Sequence, residues 1–340
     1  MGSTEFTVVT RDYLSGHWLE IPRCEAVIVD EAHRGFGNYK SKMHKALDCY
    51  LTAHAVSFLW LLTGTPYTGN WSVYSYGKLV RMPWKWFDWD RAFNYTIKMG
   101  HLKIKRQKEG VEPKLQALLR GIGTVIDLKD VAEVADDEEI IEQFEITPEQ
   151  KKMIKEHFDP VPIVQITKQH QIESGVLKSA ELKFFSPKDA RVMELVEDND
   201  KIIIVARYLD QLEKYEHLLS KQKKPVFVIR GGLKATASEV AKAAESVSEA
   251  VVLIQSDTCD GYNLKSFDVM VFASQSYSFV NLDQIKYRIK SMDKNYGNTY
   301  IYLIAKGIDQ AVYDCVSRKQ DFSETLYAKE KGGRVDYQIS

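Results

Sequence analysis

Short apolar runs rich in β-branched residues alternate along the chain with longer stretches whose apolar positions recur every three or four residues. The pattern predicts strands at Phe6–Thr10, Ala26–Val29 and Ser57–Leu62, with a weaker one at Thr124–Leu128. A second set is predicted at Lys201–Ala206, Pro225–Ile229, Ala250–Gln255, Val269–Ala273 and Thr299–Ala305. Ile202-Ile203-Ile204-Val205 and Val251-Val252-Leu253-Ile254 are unbroken apolar runs, as expected of strands covered on both faces of a parallel sheet. Between the strands, Asp210–Lys221 sets Leu212, Tyr215, Leu218 and Leu219 at helical spacing, and Ala237–Glu249 is alanine-rich. The alternation implies βαβ units and an α/β fold.

The middle of the chain breaks this rhythm. Arg81–Lys108 is dense in aromatic and basic residues, and Asp136-Asp137-Glu138-Glu139 reads as a solvated acidic linker. Thr147-Pro148-Glu149-Gln150 has the form of a helix start: Thr147 as N-cap, Pro148 in the first turn and Gln150 three residues on. A domain junction is expected near residue 130, giving domains 1–130 and 131–340. No short-period repeat is present.

The length of 340 residues agrees with two domains. With 46 Lys and Arg against 47 Asp and Glu, the net charge is −1, which excludes a protein that holds nucleic acid by bulk charge alone. The apolar stretch from Ala55 to Leu62 is too short to span a bilayer, and no basic segment followed by an apolar one opens the chain, so no membrane or secretory role is expected. The four cysteines are far apart with no CxxC spacing, which fits a cytoplasmic protein and argues against a disulfide scaffold or a zinc ribbon.

Chemistry enters at Val27-Ile28-Val29-Asp30-Glu31-Ala32-His33, where an apolar strand ends in two adjacent carboxylates. Ligands of open α/β sheets collect at the carboxyl ends of strands. A carboxylate there holds Mg²⁺ in nucleotide hydrolases, and a second orients the attacking water. A second predicted strand runs into Thr63-Gly64-Thr65-Pro66, which alone is an ordinary turn.

Together the two motifs resemble the Walker B and motif III elements of DEAD/DEAH-type superfamily-two helicases. The text around them is similar to the Swi/Snf-type double-stranded DNA translocases. Phe144-Glu145-Ile146-Thr147-Pro148-Glu149-Gln150 looks like that family's inter-lobe element, and Lys201–Tyr208 stands where motif IV opens the second lobe. Gln255–Leu264, with Gly261 and Asn263, is similar to motif V. Gln284-Ile285-Lys286-Tyr287-Arg288-Ile289-Lys290-Ser291 is similar to motif VI, and the wording around Ser276-Tyr277-Ser278 resembles phage-encoded members. The resemblance runs from about residue 6 to about residue 322.

It implies two RecA-like lobes, the first shortened at its N-terminus, that hydrolyse ATP with Mg²⁺ to move along duplex DNA. Asp30 would hold Mg²⁺, Glu31 the attacking water, and Arg288 would act with them in catalysis. His33, Gly261 and Gln284 join these three around the nucleotide. Thr10, Thr63, Gly64, Thr65, Arg207, Ser256 and Asn263 would contact DNA or couple it to the nucleotide site.

Two departures qualify that expectation. The family's GxGK[ST] loop, whose backbone N–H groups cradle phosphates, is not among these residues; the one Gly-Lys pair is Gly77-Lys78-Leu79. Ser291 stands where motif VI has its second arginine, and on a continuing helix the adjacent Lys290 would point about 100° away. The alternatives are therefore a non-hydrolysing DNA-binding or scaffolding protein, or one half of a split enzyme whose partner is an N-terminal helicase fragment supplying the loop.

Other features have plainer readings. Trp84, Trp86, Trp89 and Phe87 are expected to pack a helix onto the first lobe more than to stack on bases. The basic run from His101 to Lys108 is read equally as a DNA-backbone contact or as a solvated loop or helix face, and Gly231-Gly232 equally as a close approach of backbone to phosphate or as a plain turn.

Overall fold

The two unbroken apolar runs form the centre of a six-stranded, all-parallel sheet in the computed structural model of the chain. The structure describes residues 5–99, 102–124, 126, 135–233, 235–258, 261–291, 293–318, 322 and 327. They fall into two units, residues 1–127 and 128–340.

In the second unit the strands are β5 (Glu138–Phe144), β6 (Lys201–Ala206), β7 (Val226–Ile229), β8 (Ala250–Gln255), β9 (Val269–Phe272) and β10 (Thr299–Ala305), in the order β5-β10-β9-β6-β8-β7. The helices are α6 (Pro148–Glu156), α7 (Pro162–Glu173), α8 (Pro187–Asp198), α9 (Leu209–Leu219), α10 (Ala237–Glu245), α11 (Phe279–Lys286) and α12 (Ile308–Val316). Because side chains alternate across a strand, Ile202 and Ile204 join Leu253 and Val271 under α8 and α9. Ile203 and Val205 join Val252 and Phe272 on the opposite face, under α10 and α11. Each apolar residue of these runs is buried, an arrangement worth roughly 1.5–3 kcal/mol per large side chain. The parallel α/β layout expected of this half is thus present.

The first unit contains α1 (Arg11–His17), β1 (Ala26–Val29), α2 (Lys42–Ala53), β2 (Phe58–Leu61), α3 (Asn70–Leu79), α4 (Trp86–Phe93), the antiparallel pair β3 (Asn94–Met99) and β4 (Leu102–Gln107), and α5 (Glu112–Ile122). β1 and β2 pair in parallel, Ala26 with Phe58 through Val29 with Leu61. The core lies among Leu47 and Tyr50 of α2, Val73 and Leu79 of α3, and Leu115 of α5. Trp89 is buried in it, and Trp84 lies so close over Gly77 that no β-carbon fits there, so these tryptophans pack. Phe87 alone of that group is largely exposed.

Several expectations are corrected. Residues 6–10 form no strand: they pair with no other strand and are exposed, and Thr10 instead caps α1 by accepting the Tyr13 N–H at 3.2 Å. Residues 124–128 lie largely outside the described residues, as does His101. The rest of the basic run is strand β4, with Lys105 paired to Asp90. The acidic run is not a free linker, since Glu138 and Glu139 open edge strand β5 and Asp137 binds Asn298 and Lys290. Thr147 does cap α6, in a reciprocal pair with Gln150. Gly232 adopts a left-handed φ of +79°, as a turn there requires. Among the described residues, no helix is long and apolar enough to cross a membrane.

Candidate functional site

In the first unit the candidate chemistry gathers where β1 and β2 end side by side. The ladder carries past the strands: Leu62 N–H donates to Val29 O at 2.8 Å, and Ala32 N–H returns to Leu62 O at 2.9 Å. This brings the turn after Val29 against the turn after Leu62. Asp30 lies exposed at the strand end, and its Oδ1 accepts the Glu31 N–H at 2.9 Å. Glu31 takes a left-handed φ of +49°, unusual for a residue with a β-carbon and a form of strain that clusters at functional sites. The turn directs its carboxylate back onto His33, whose Nδ1 lies 3.2 Å from Glu31 Oε2 and 2.9 Å from Thr63 Oγ1. His33 Nδ1 is thus within ion-pair reach of Glu31 and hydrogen-bonded to Thr63, the donor in that bond following the ring's tautomer. Thr63 Oγ1 also accepts the Thr65 N–H at 3.1 Å, and Thr65 Oγ1 is buried without a hydrogen-bond partner. Gly64 has open space where a side chain would stand. Five of the sequence-derived residues, Asp30, Glu31, His33, Thr63 and Thr65, thus form one connected strand-end cluster. Thr10, capping α1, is bonded to none of them.

Magnesium is commonly held through one or two carboxylates, with waters and phosphate oxygens completing the octahedron. Asp30 fits that role: it is exposed, stands at a strand's carboxyl end, and uses one oxygen on its own turn. Among the described residues no group of three or more His, Cys, Asp or Glu forms an all-protein metal cage, so Asp30 would be one ligand among phosphates and waters.

In the second unit the motif residues separate into two places. Gly261, Asn263 and Arg288 line one open cavity of about 590 Å³, together with Tyr262 and with Lys242 and Glu245 of α10. Gly261 turns the chain at φ +77°. Arg288 Nη1 donates to Tyr262 O at 3.0 Å, and Leu264 N–H donates back to Arg288 O at 2.8 Å. Arg288 Nε is buried without a partner. Gln284 is buried on α11 and does not line this cavity.

Arg207 and Ser256 lie instead at the carboxyl ends of β6 and β8, where Ser256 N–H donates to Ala206 O at 2.9 Å. Ser256 Oγ is buried and unpartnered. The Arg207 guanidinium rests 3.6 Å from the centre of the Tyr277 ring.

The place of Lys290 overturns the helical expectation. α11 ends at Lys286, and Lys290 beyond it pairs with Asp137 at 2.7 Å. Ser291 closes a turn, its Oγ accepting the Asp293 N–H at 3.2 Å. Sequence reasoning also missed a sealed polar group built on His170, Lys188 and Asp309. No spacing signal pointed to it, because its members come from three separate helices.

No protein-family model matches the chain, and no curated protein matches it. Among solved structures it is similar to the Sulfolobus solfataricus SWI2/SNF2 ATPase core domain, at 17% identity and a TM-score of 0.47, covering 92% of this chain and 71% of that one. The same core in complex with dsDNA is similar at 17% identity and a TM-score of 0.40, covering 97% and 74%. The C-terminal part of the Fun30 ATPase domain is similar at 10% identity and a TM-score of 0.46, covering 59% and 99%. These are distant likenesses, below the level at which a shared fold implies a shared activity.

Proposed function

We propose that the chain is motor machinery of an ATP-dependent translocase on double-stranded DNA. The observation that carries this reading is the His33 bridge from Glu31 to Thr63, which ties a strand-end acid pair to the next strand's turn. On this reading Asp30 holds Mg²⁺, Glu31 orients the attacking water, and His33 passes the state of that pair to Thr63 and Thr65. Bound ATP supplies the phosphoanhydride whose hydrolysis drives movement. Arg288, Gly261 and Gln284 belong to the nucleotide-facing side of the second unit, Asn263 in the same loop couples that side to DNA, and Arg207 and Ser256 grip DNA phosphates. On this reading a GxGK[ST] loop from outside residues 1–340 completes the phosphate site.

A second reading is a duplex-binding protein without hydrolysis. It is favoured by Ser291, tied into a turn where the family has an arginine, and by Lys290, which is held by Asp137. An arginine at such a position is worth several orders of magnitude in rate.

The test is phosphate release by the protein purified from its own cells with its copurifying polypeptides, with and without a 60-base-pair duplex. Turnover that duplex stimulates and Glu31→Gln abolishes supports the motor. Duplex binding with no Glu31-dependent turnover supports the second reading. Absence of salt-sensitive duplex binding sinks both.

A further inference from the structure

We infer that His170, in the last turn of α7, is a positioning residue for Arg207. This inference rests on the reading of Arg207 as a phosphate contact.

His170 is fully buried and its ring is held from both sides. Nε2 lies 3.0 Å from Asp309 Oδ1, while Asp309 Oδ2 binds the Lys188 ammonium and accepts the Ala305 N–H at 2.9 Å. A carboxylate accepts only, so Nε2 carries the proton. Nδ1 of the neutral ring is then an acceptor. It faces the hydroxyls of Tyr208 at 2.7 Å and Tyr277 at 3.2 Å. Burial lowers the His170 pKa, which favours the neutral ring, and the Asp309 carboxylate sets its tautomer. The imidazole therefore anchors the pair of hydroxyls, Tyr208 at the shorter distance and Tyr277 beside it.

The ring of Tyr277 stacks on His170 with centroids 5.4 Å apart, and Phe322 closes on it edge-on at 5.0 Å. Ile166, Ile308 and Val312 pack around it, and the Arg207 guanidinium lies 3.6 Å from its ring centre. Among the described residues Arg207 is in no ion pair; its head lies on the Tyr277 ring and beside Tyr208, which leaves its charge available to an anion. A free arginine loses much rotamer freedom on gripping a phosphate; one already laid on a fixed ring loses less. The line Lys188, Asp309, His170, Tyr277, Arg207 thus extends from buried helices to the carboxyl end of the central strand β6.

The test separates position from DNA contact. The Nε–H proton of Arg207, assigned by its loss in Arg207→Lys, should resonate upfield because of the ring beneath it. Affinity for a 30-base-pair duplex is measured over a salt series. His170→Gln should move the resonance toward the free-arginine position and weaken duplex binding about three- to ten-fold, the equivalent of one net hydrogen bond. Tyr277→Phe keeps the ring, deletes the bond to Nδ1, and should do the same if His170→Gln fails to fold. Neither change should weaken binding further in the Arg207→Ala background, and Arg207→Ala should lower the salt slope by about 0.9. An unmoved resonance in a folded variant overturns the inference, and so does an undiminished loss of affinity in the Arg207→Ala background. A moved resonance with Arg207→Ala leaving affinity and slope unchanged supports the positioning and refutes the phosphate contact.

Discussion

Both units pair short parallel strands, and they differ in what covers them. In the second unit residues 202–206 and 250–254 are at most 1% exposed, with helices on both faces. In the first, Val27, Val29, Leu59 and Leu61 face the core, while Ile28 is 61%, Phe58 51% and Trp60 49% exposed. The histidines repeat the contrast. His33 joins Glu31 and Thr63 at a strand end beside an exposed Asp30, whereas His170 is sealed among Asp309, Tyr208 and Tyr277. A polar contact near water can be broken and remade at low cost. A sealed one resists change, because the group left behind has no water to replace its partner.

The sharpest test of this contrast is Lys188→Ala. It leaves Asp309 buried beside His170 with its ammonium partner gone, and such a change costs about 3–5 kcal/mol. Two units in one chain need not unfold together, so hydrogen exchange at β6 and β8 is the proper measure. A loss under about 1 kcal/mol would mean that water reaches Asp309.

Next is a matched pair of apolar truncations. Leu253→Ala in β8 is expected to cost about 2–5 kcal/mol, since Leu253 is fully enclosed. Trp60→Ser on the open face of β2 is expected to cost less than about 1 kcal/mol. Equal losses, read from amides of β8 and of β2, would erase the distinction between the covered and the open sheet. Thr63→Ala should then cost the first unit only about 0.5–1.5 kcal/mol, the net value of one hydrogen bond. A loss near that of Lys188→Ala would show the His33 joint to be as rigid as the His170 one.

How much of this was legible in the sequence follows the same division. β6 and β8 were readable because double burial writes an unbroken apolar run. β5 was read as the end of an acidic linker, because an edge strand carries charge outward and Glu138, Glu139 and Glu142 hide its period. The β3–β4 pair was hidden by lysines on both strands. Residues 6–10 look like a strand by composition, but a strand exists only where a neighbour pairs with it. In the candidate sites, Asp30, Glu31, His33 and Thr63 were found because two short motifs each sit at a strand end and adjacent strands bring them together. The His170 cluster was not, since its bond to Asp309 spans 139 positions and local spacing carries no trace of it.

The smallest expected effect is a pair of opposed pH slopes in the second unit. Glu173 ends α7 fully buried, accepting the N–H groups of Ile308 at 3.0 Å and Asp309 at 2.9 Å and the side chain of Gln169. Burial first, then the charge of Asp309, pushes its carboxyl up to about 7. Burial lowers His170 below its ordinary 6.5, with Asp309 opposing and Lys188 and Arg207 assisting. Glu173 has a raised folded pKa, so its contribution is fully present below about 4.5 and is lost as pH rises to about 7. His170 has a lowered one, so its contribution is present above about 6.5 and is lost as pH falls through the folded value. Each slope is at most about 1.4 kcal/mol per pH unit, and in the native protein they oppose each other wherever both groups titrate in the range between about 4.5 and 6.5, the ordinary values of the two groups. Asp159, Glu213, Glu239 and Asp309 are all shifted downward and titrate below that range. His170→Gln should therefore leave a second unit that gains stability as pH falls from 7 to 5. Glu173→Gln should leave one that loses stability as pH falls below 6.5. Opening free energies of β6 amides at a series of pH values measure both. Slopes of the same sign in the two variants would mean that these groups do not titrate independently inside the sealed frame, and that water enters it on the timescale of proton exchange.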